Sequence, residues 1–143
     1  MMLKGTLVIF ALASAAAANF RCLTNLGSFV IREQWALDGV RLGGVTTGRS
    51  GFPHAFGGQS GGGAQLRFYG ADNRCNERNP RLFEFPVNKD GRPYPKDERH
   101  DTNTPARVVY LQDGRTLCGV MTHVIEDPKT HHGSGNFRVC DRV

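Results

Sequence analysis

Four short apolar runs, each interrupted by one ionisable side chain, constrain this sequence more than any other feature. They read Phe52-Pro53-His54-Ala55-Phe56, Leu82-Phe83-Glu84-Phe85-Pro86-Val87, Ala106-Arg107-Val108-Val109-Tyr110 and Gly119-Val120-Met121-Thr122-His123. Runs of this length, rich in β-branched and aromatic residues, suit strands. In a strand, alternate side chains face opposite sides. Phe83, Phe85 and Val87 then share one face, with Glu84 on the other. Val108 and Tyr110 share a face, with Arg107 opposite, while His123 follows the parity of Met121 and His54 that of Phe52 and Phe56. An ionisable group buried in an apolar strand is costly unless it is paired. Four such groups of complementary charge type are therefore expected to meet on one sheet face.

The organisation along the chain agrees with a small α+β fold. Phe29 to Leu42 reads as the one helix of any length, with Ser28 as its cap and Gly43-Gly44 at its end. Gly39 weakens it, and Val30, Ile31, Trp35, Leu37 and Val40 do not form one clean stripe. Gly57 to Gly63 is glycine-rich and reads as a loop. Beyond it come short strands separated by turn signals at Asp90-Gly91, Asp113-Gly114 and Gly133-Ser134-Gly135. Asn88 to Pro105 is polar and proline-containing, and reads as a long surface loop. One helix followed by several antiparallel strands is an α+β pattern. There is no internal repeat.

The N-terminus has the pattern of a secretory signal. Lys4 supplies the positive charge, Leu7 to Ala18 the apolar stretch, and Ala16-Ala17-Ala18 the small residues before a cleavage site. Residues 1–18 are expected to be a signal peptide and 19–143 one secreted domain of 143 − 18 = 125 residues, long enough for its own core. Removing Lys4 lowers the formal net charge from +5 to +4, a mild basicity that permits a polyanionic partner without requiring one. The four cysteines, Cys22, Cys75, Cys118 and Cys140, are even in number, which in a secreted chain argues for two disulfides among three connectivities. The absence of any C-x-x-C pair argues against zinc.

One carboxylate, one guanidinium and two imidazoles are the set needed to cleave RNA without a metal. RNA carries its own nucleophile, so a protein need only move protons and stabilise charge on phosphorus. The plain alternatives are a cross-strand Glu–Arg pair that only stabilises the sheet, and histidines satisfied in core or solvent. Ser50 sits in a Gly-Arg-Ser-Gly turn that does not resemble a nucleophile elbow. His131-His132, in a glycine-flanked loop, reads as solvated rather than metal-binding. No cofactor is expected.

Taken as a set, these segments resemble the fungal ribotoxins, the sarcin, restrictocin and hirsutellin group, within the small secreted guanyl-specific ribonucleases. The matching elements are Thr46-Thr47-Gly48-Arg49-Ser50-Gly51 running into Pro53-His54, Phe83-Glu84-Phe85-Pro86, Ala106-Arg107-Val108-Val109-Tyr110, Cys118-Gly119-Val120-Met121-Thr122-His123, and Phe137 three residues before Cys140. The resemblance covers most of Thr46 to Cys140, and the compact N-terminal region is most similar to hirsutellin-type members. It implies Glu84 as general base at the ribose 2′-OH and His123 as general acid at the leaving 5′-oxygen. It implies His54 as an assisting imidazole, Arg107 as the phosphate-holding cation and Phe137 as an aromatic wall. Phe52, Phe56 and Arg67 are the substrate-binding candidates. It also implies the pairs Cys22–Cys140 and Cys75–Cys118, and a central twisted antiparallel sheet packed on one helix with long loops.

Two departures stand out. Phe52 occupies a position that is usually tyrosine, or aspartate in the hirsutellin type. The Gly57–Cys75 loop is shorter than in sarcin, with only Arg67 and Arg74 as cations. Arg78, Arg81, Lys89, Arg92, Lys96 and Arg99 then stand as the alternative source of positive field, interleaved with Glu77, Asp90, Asp97 and Glu98. The resemblance implies a secreted endoribonuclease acting on ribosomal RNA at the sarcin–ricin loop, monomeric, with a basic surface that permits contact with anionic lipid. The alternatives are a general guanyl-preferring extracellular ribonuclease and, of another class, an inactive RNA-binding effector on the same scaffold.

Overall fold

Phe20-Arg21-Cys22-Leu23-Thr24 alternates buried and exposed side chains and forms β1 (Phe20–Thr24). The chain turns through Asn25-Leu26 into antiparallel β2 (Gly27–Ile31), with Gly27 at φ +113°. The computed structural model describes residues 5–6, 18–99 and 104–143. The expected signal segment therefore lies outside the described residues, apart from Gly5, Thr6 and Ala18. A final strand, β8 (Asp141–Arg142), pairs with the other edge of β1, giving a three-stranded sheet in the order β2-β1-β8. The Cys22–Cys140 disulfide closes this end, and Asn19 and Val143 exchange backbone hydrogen bonds at 3.0 and 2.8 Å.

The helix is shorter than expected. α1 spans Glu33–Gly43, and its N-cap is Arg32 without a side-chain cap bond, not Ser28. Phe29, Val30 and Ile31 belong to β2, paired with Cys22, Arg21 and Phe20. The reason is nonlocal: β1 offers these residues a partner strand, and a hairpin edge outweighs weak local helix propensity. The glycine end behaves as expected, with Gly44 at φ +60° and its N–H bonded to the Val40 carbonyl at 2.9 Å. A Cβ at Gly43 would meet the Tyr110 hydroxyl at 2.5 Å and the Phe85 ring at 3.0 Å, so only glycine lets the helix end sit this close to the sheet.

The main sheet has five antiparallel strands in the order β3 (His54–Phe56), β4 (Leu82–Pro86), β5 (Ala106–Leu111), β6 (Leu117–Glu126) and β7 (Gly133–Val139). Its helix-facing side packs Phe85, Val108, Tyr110 and Val120 against Ala36 and Val40. The Tyr110 hydroxyl donates to the Gly44 carbonyl at 2.7 Å. The other side carries a second core of Phe68, Leu82, Val109, Leu111 and Met121, stapled by Cys75–Cys118 beside the 3₁₀ turn Asn73–Asn76. The architecture is one helix on antiparallel sheets with two disulfides in the pairing that the resemblance implied.

Two further expectations change. Gly133-Ser134-Gly135 is not a turn but the start of β7. The reversal lies just before it, where His131 donates to Asp127 and Asp127 to His132 through the backbone. The Asn88–Pro105 segment forms no strand or helix among its described residues, yet it is not only surface: Tyr94 within it is 4% exposed.

Candidate active site

Strand register brings the four ionisable groups onto one face. His54 of β3 lies opposite Glu84 of β4, Arg107 of β5 opposite Met121 of β6, and His123 of β6 opposite Phe137 of β7. All four face away from the helix, as alternation requires. Their backbones belong to neighbouring strands of one sheet, which holds such groups to a fixed geometry.

Arg107 is the buried centre, 2% exposed. Its Nε lies 3.5 Å from Glu84 Oε1. Its Nη1 donates to the Thr104 carbonyl and, at 3.1 Å, to the Ala106 carbonyl. The guanidinium also lies over the Phe52 ring, 5.1 Å from its centroid, and Phe52 in turn stacks on His54 at 4.0 Å. Phe52 is therefore an aromatic link between the cation and one imidazole. Tyr94 meets the same ring edge-on at 5.8 Å and Phe85 at 5.4 Å.

His123 is oriented by the backbone. Its Nδ1 lies 2.9 Å from the Gly135 carbonyl, which can only accept, so Nδ1 carries a proton and Nε2 is left for a substrate. Its own N–H donates to the Pro105 carbonyl at 2.9 Å. Phe137 stacks on the imidazole at 4.1 Å, and Phe56 approaches Phe137 edge-on at 6.5 Å. Gly135, at φ +78°, sits where the β6–β7 register shifts between His123 and Ile125. That irregularity presents the carbonyl to the ring.

The electrostatics separate the groups. Burial pushes the Glu84 carboxyl above its ordinary range, and the Arg107 charge only partly opposes this. Burial pulls His123 below the ordinary imidazole value, with the Arg107 charge acting the same way and the Gly135 bond opposing. His54 is also lowered, by burial and then by Arg107. A raised carboxyl and a lowered imidazole have affinities for protons that converge, which suits exchange of roles between a base and an acid.

The other candidates are placed differently. Arg67 lies over the exposed Tyr69 ring at 5.3 Å. Of the alternative cations, Lys89 is paired with Glu126 and Lys96 Nζ donates to the Gly43 carbonyl at 2.7 Å, so both hold the fold. Arg92 lies 3.4 Å from Asp90, and Arg74 lies 3.0 Å from Asp72. Ser50 Oγ accepts from the Phe52 N–H at 3.3 Å, a turn contact. His131 Nδ1 lies 3.2 Å from Glu126 Oε1. Among the described residues no three His, Cys, Asp or Glu side chains gather where they could hold a metal ion.

No family model matches the chain, and no curated protein sequence matches it. Solved structures do. Hirsutellin A from Hirsutella thompsonii is 30% identical with a TM-score of 0.66, over 89% of this chain and all of that one. The chain belongs to the fungal ribotoxin family. Restrictocin, an Aspergillus ribotoxin, solved with a 29-mer sarcin/ricin domain RNA analogue, shares the fold at 21% identity and a TM-score of 0.67, over 87% of this chain and 99% of that one. The cytotoxic ribonuclease alpha-sarcin shares it at 22% identity and a TM-score of 0.65, over 87% and 99%.

Several residues of this ribotoxin's site left no signal in its sequence. Tyr94 lies in a polar loop without periodicity, yet it packs on Phe52, and burial pushes its phenol up against the Arg107 charge. The Thr104, Pro105 and Gly135 contributions are carbonyls, which any residue type carries. Ser60, in the glycine-rich loop, bonds both backbone polar groups of Phe137.

Proposed function

We propose that this ribotoxin is a secreted endoribonuclease that cleaves RNA through its own 2′-hydroxyl and needs no metal. The observation that carries the reading is a buried guanidinium on one sheet face, between a carboxyl raised by burial and an imidazole lowered by it. Glu84 takes the 2′-OH proton as the 2′-oxygen bonds to phosphorus. The bond from phosphorus to the 5′-oxygen breaks, and His123 Nε2 gives that oxygen its proton. The products are a 2′,3′-cyclic phosphate and a 5′-hydroxyl, and slow hydrolysis of the cycle follows by the reverse roles. Arg107 stabilises the charge on the phosphate oxygens as a planar donor. His54 assists at the 2′-oxygen. Phe137 and Phe56 wall the site, Phe52 holds Arg107 and His54 by their faces, and Arg67 adds positive charge on the approach.

The intended substrate is the sarcin–ricin loop of large-subunit ribosomal RNA, whose exposed bases can be splayed and stacked on these rings. The restrictocin complex with an analogue of that RNA supports this choice. A general guanyl-preferring ribonuclease is the second reading, favoured by the inward engagement of Lys89 and Lys96, which removes two cations from any RNA-facing field. Secretion follows from the signal pattern with cleavage after Ala18, and the two disulfides fit an oxidising compartment. A monomer with transient contact to anionic membrane fits the mild positive charge.

The test uses intact eukaryotic ribosomes and the oxidised protein, with Glu84→Gln beside it, read on a denaturing gel. One discrete large-subunit fragment, absent with the variant, is expected. A Glu84-dependent smear selects the general ribonuclease, and intact RNA in both lanes removes the enzymatic reading.

A further inference from the structure

The glycine-rich loop is tied to the active site by one side chain. Ser60 Oγ donates to the Phe137 carbonyl at 3.2 Å and accepts the Phe137 N–H at 3.3 Å, across 77 residues of sequence. β7 is the edge of the five-stranded sheet, so these two backbone groups point outward where no strand can pair with them. Ser60 takes both. Its own backbone is held as firmly: its N–H donates to the Ala64 carbonyl at 2.8 Å, and its carbonyl accepts the Gly63 N–H at 2.8 Å. The loop is closed behind it by the Gln59–Gln65 bridge and by the Leu66 N–H on the Gly58 carbonyl at 2.8 Å. A Cβ on Gly61 would meet the Asn136 side-chain oxygen at 2.6 Å, so the loop lies against β7 here.

The gripped residue is the one that covers His123. Phe137 stacks on that imidazole at 4.1 Å and is its cross-strand partner. We propose that Ser60 is a positioning residue for the cleavage reaction, holding the Phe137 ring over His123 and thereby coupling the glycine-rich loop to the proton donor. The inference rests on the ribonuclease reading given above for His123, but its structural half does not. A ring whose backbone is pinned at both polar groups keeps its stack. A ring on an unpinned edge strand swings with the strand, and small misplacements at a proton donor are costly. Ser60 touches no reacting atom and acts only through Phe137.

The test uses the full oxidised protein and three variants: Ser60→Ala, Ser60→Thr and Ser60→Cys. One arm measures kcat and KM on a guanylyl dinucleoside phosphate. The other reads the His123 ring protons by NMR, which the stacked Phe137 ring shifts upfield. Ser60→Ala is expected to lower kcat by about tenfold or more with KM little changed, and to move the His123 resonances downfield. Ser60→Thr, which keeps the hydroxyl, restores both, and Ser60→Cys, a weak donor of similar size, falls between. If Ser60→Ala loses thermal stability but keeps kcat and the His123 shift, the role is structural only and the proposal is overturned. If wild type itself does not cleave, or His123→Gln cleaves as well as wild type, the ribonuclease reading fails instead. The NMR arm then still decides whether Ser60 positions the ring.

Discussion

Two buried glutamates in the same sheet face cations and end up as opposite kinds of group. Glu84 on β4 pairs with Arg107 at 3.5 Å, and burial drives its carboxyl up against that charge. Glu126 at the end of β6 is less exposed to solvent, 1% against 9%. Burial pushes it up too, but Lys89, His131 and Thr24 all bond its side chain, and together they bring it below the ordinary range. Its backbone N–H and carbonyl are also engaged, with Asn25, so this one residue ties the β1–β2 turn to the far end of the main sheet. Exposure to solvent alone does not separate the two: Glu84 lies deeper among protein atoms and bears the larger burial penalty, while at Glu126 three bonded partners outweigh a smaller one. A satisfied buried carboxylate is a structural peg. A deeper carboxyl beside a single cation keeps an affinity for protons that chemistry can use.

The sharpest way to break this comparison is to neutralise each in turn. Glu84→Gln is expected to lower kcat/KM on a dinucleoside phosphate by about 10²–10⁴-fold, the range of a lost general base, while the fold survives. Glu126→Gln is expected to leave kcat/KM within a few-fold but to cost about 2–3 kcal/mol of stability in urea, since Lys89 loses its charge partner and the bonds to the carboxylate weaken. Equal losses of activity in both variants would end the distinction.

The pH dependences should also diverge. For stability, Glu126 is depressed in the folded state, so its contribution is complete above the unfolded carboxyl value of about 4.3 and is lost as pH falls through its folded value. The stability gap between wild type and Glu126→Gln should therefore close on acidification. For activity, the base must be ionised and the acid protonated. Glu84 raised and His123 lowered narrow the window from both sides, so kcat/KM is expected to peak on the acid side of neutrality. Bound substrate phosphate favours the imidazolium, which should carry the alkaline limb of kcat above that of kcat/KM. A flat profile from pH 5 to 8 (about the range in which histidine changes charge) would contradict the assignment.

Losses of activity smaller than that of Glu84→Gln are expected at Phe52. Phe52→Ala removes the ring between Arg107 and His54 and is expected to cost about tenfold in kcat/KM, the scale of one desolvated cation–π contact. Phe52→Tyr keeps the ring and adds a hydroxyl, and should change the rate by no more than a few-fold. A large gain would show that this site works short of a donor at that position.

The α+β class and the gathering of His54, Glu84, Arg107 and His123 on one face were legible because face alternation is a property of the strand itself. One-letter patterns in Leu82–Val87 and Ala106–Tyr110 already say which side chains lie together. The start of the helix was not legible, since Phe29 to Ile31 became strand only through pairing with Phe20 to Cys22. Gly133 to Gly135 looked like a turn and became strand for the same reason, pairing with the end of β6. Tyr94, the carbonyls of Thr104, Pro105 and Gly135, and the grip of Ser60 on Phe137 likewise needed the tertiary structure. The sequence by itself determined which residues could share a face, through a two-residue period that each strand carries locally. Tertiary packing alone set which strands became neighbours, how deep each carboxyl lies and which partners it meets, and so which of two similar glutamates is raised in proton affinity and which lowered. Those outcomes depend on contacts between residues far apart in the chain.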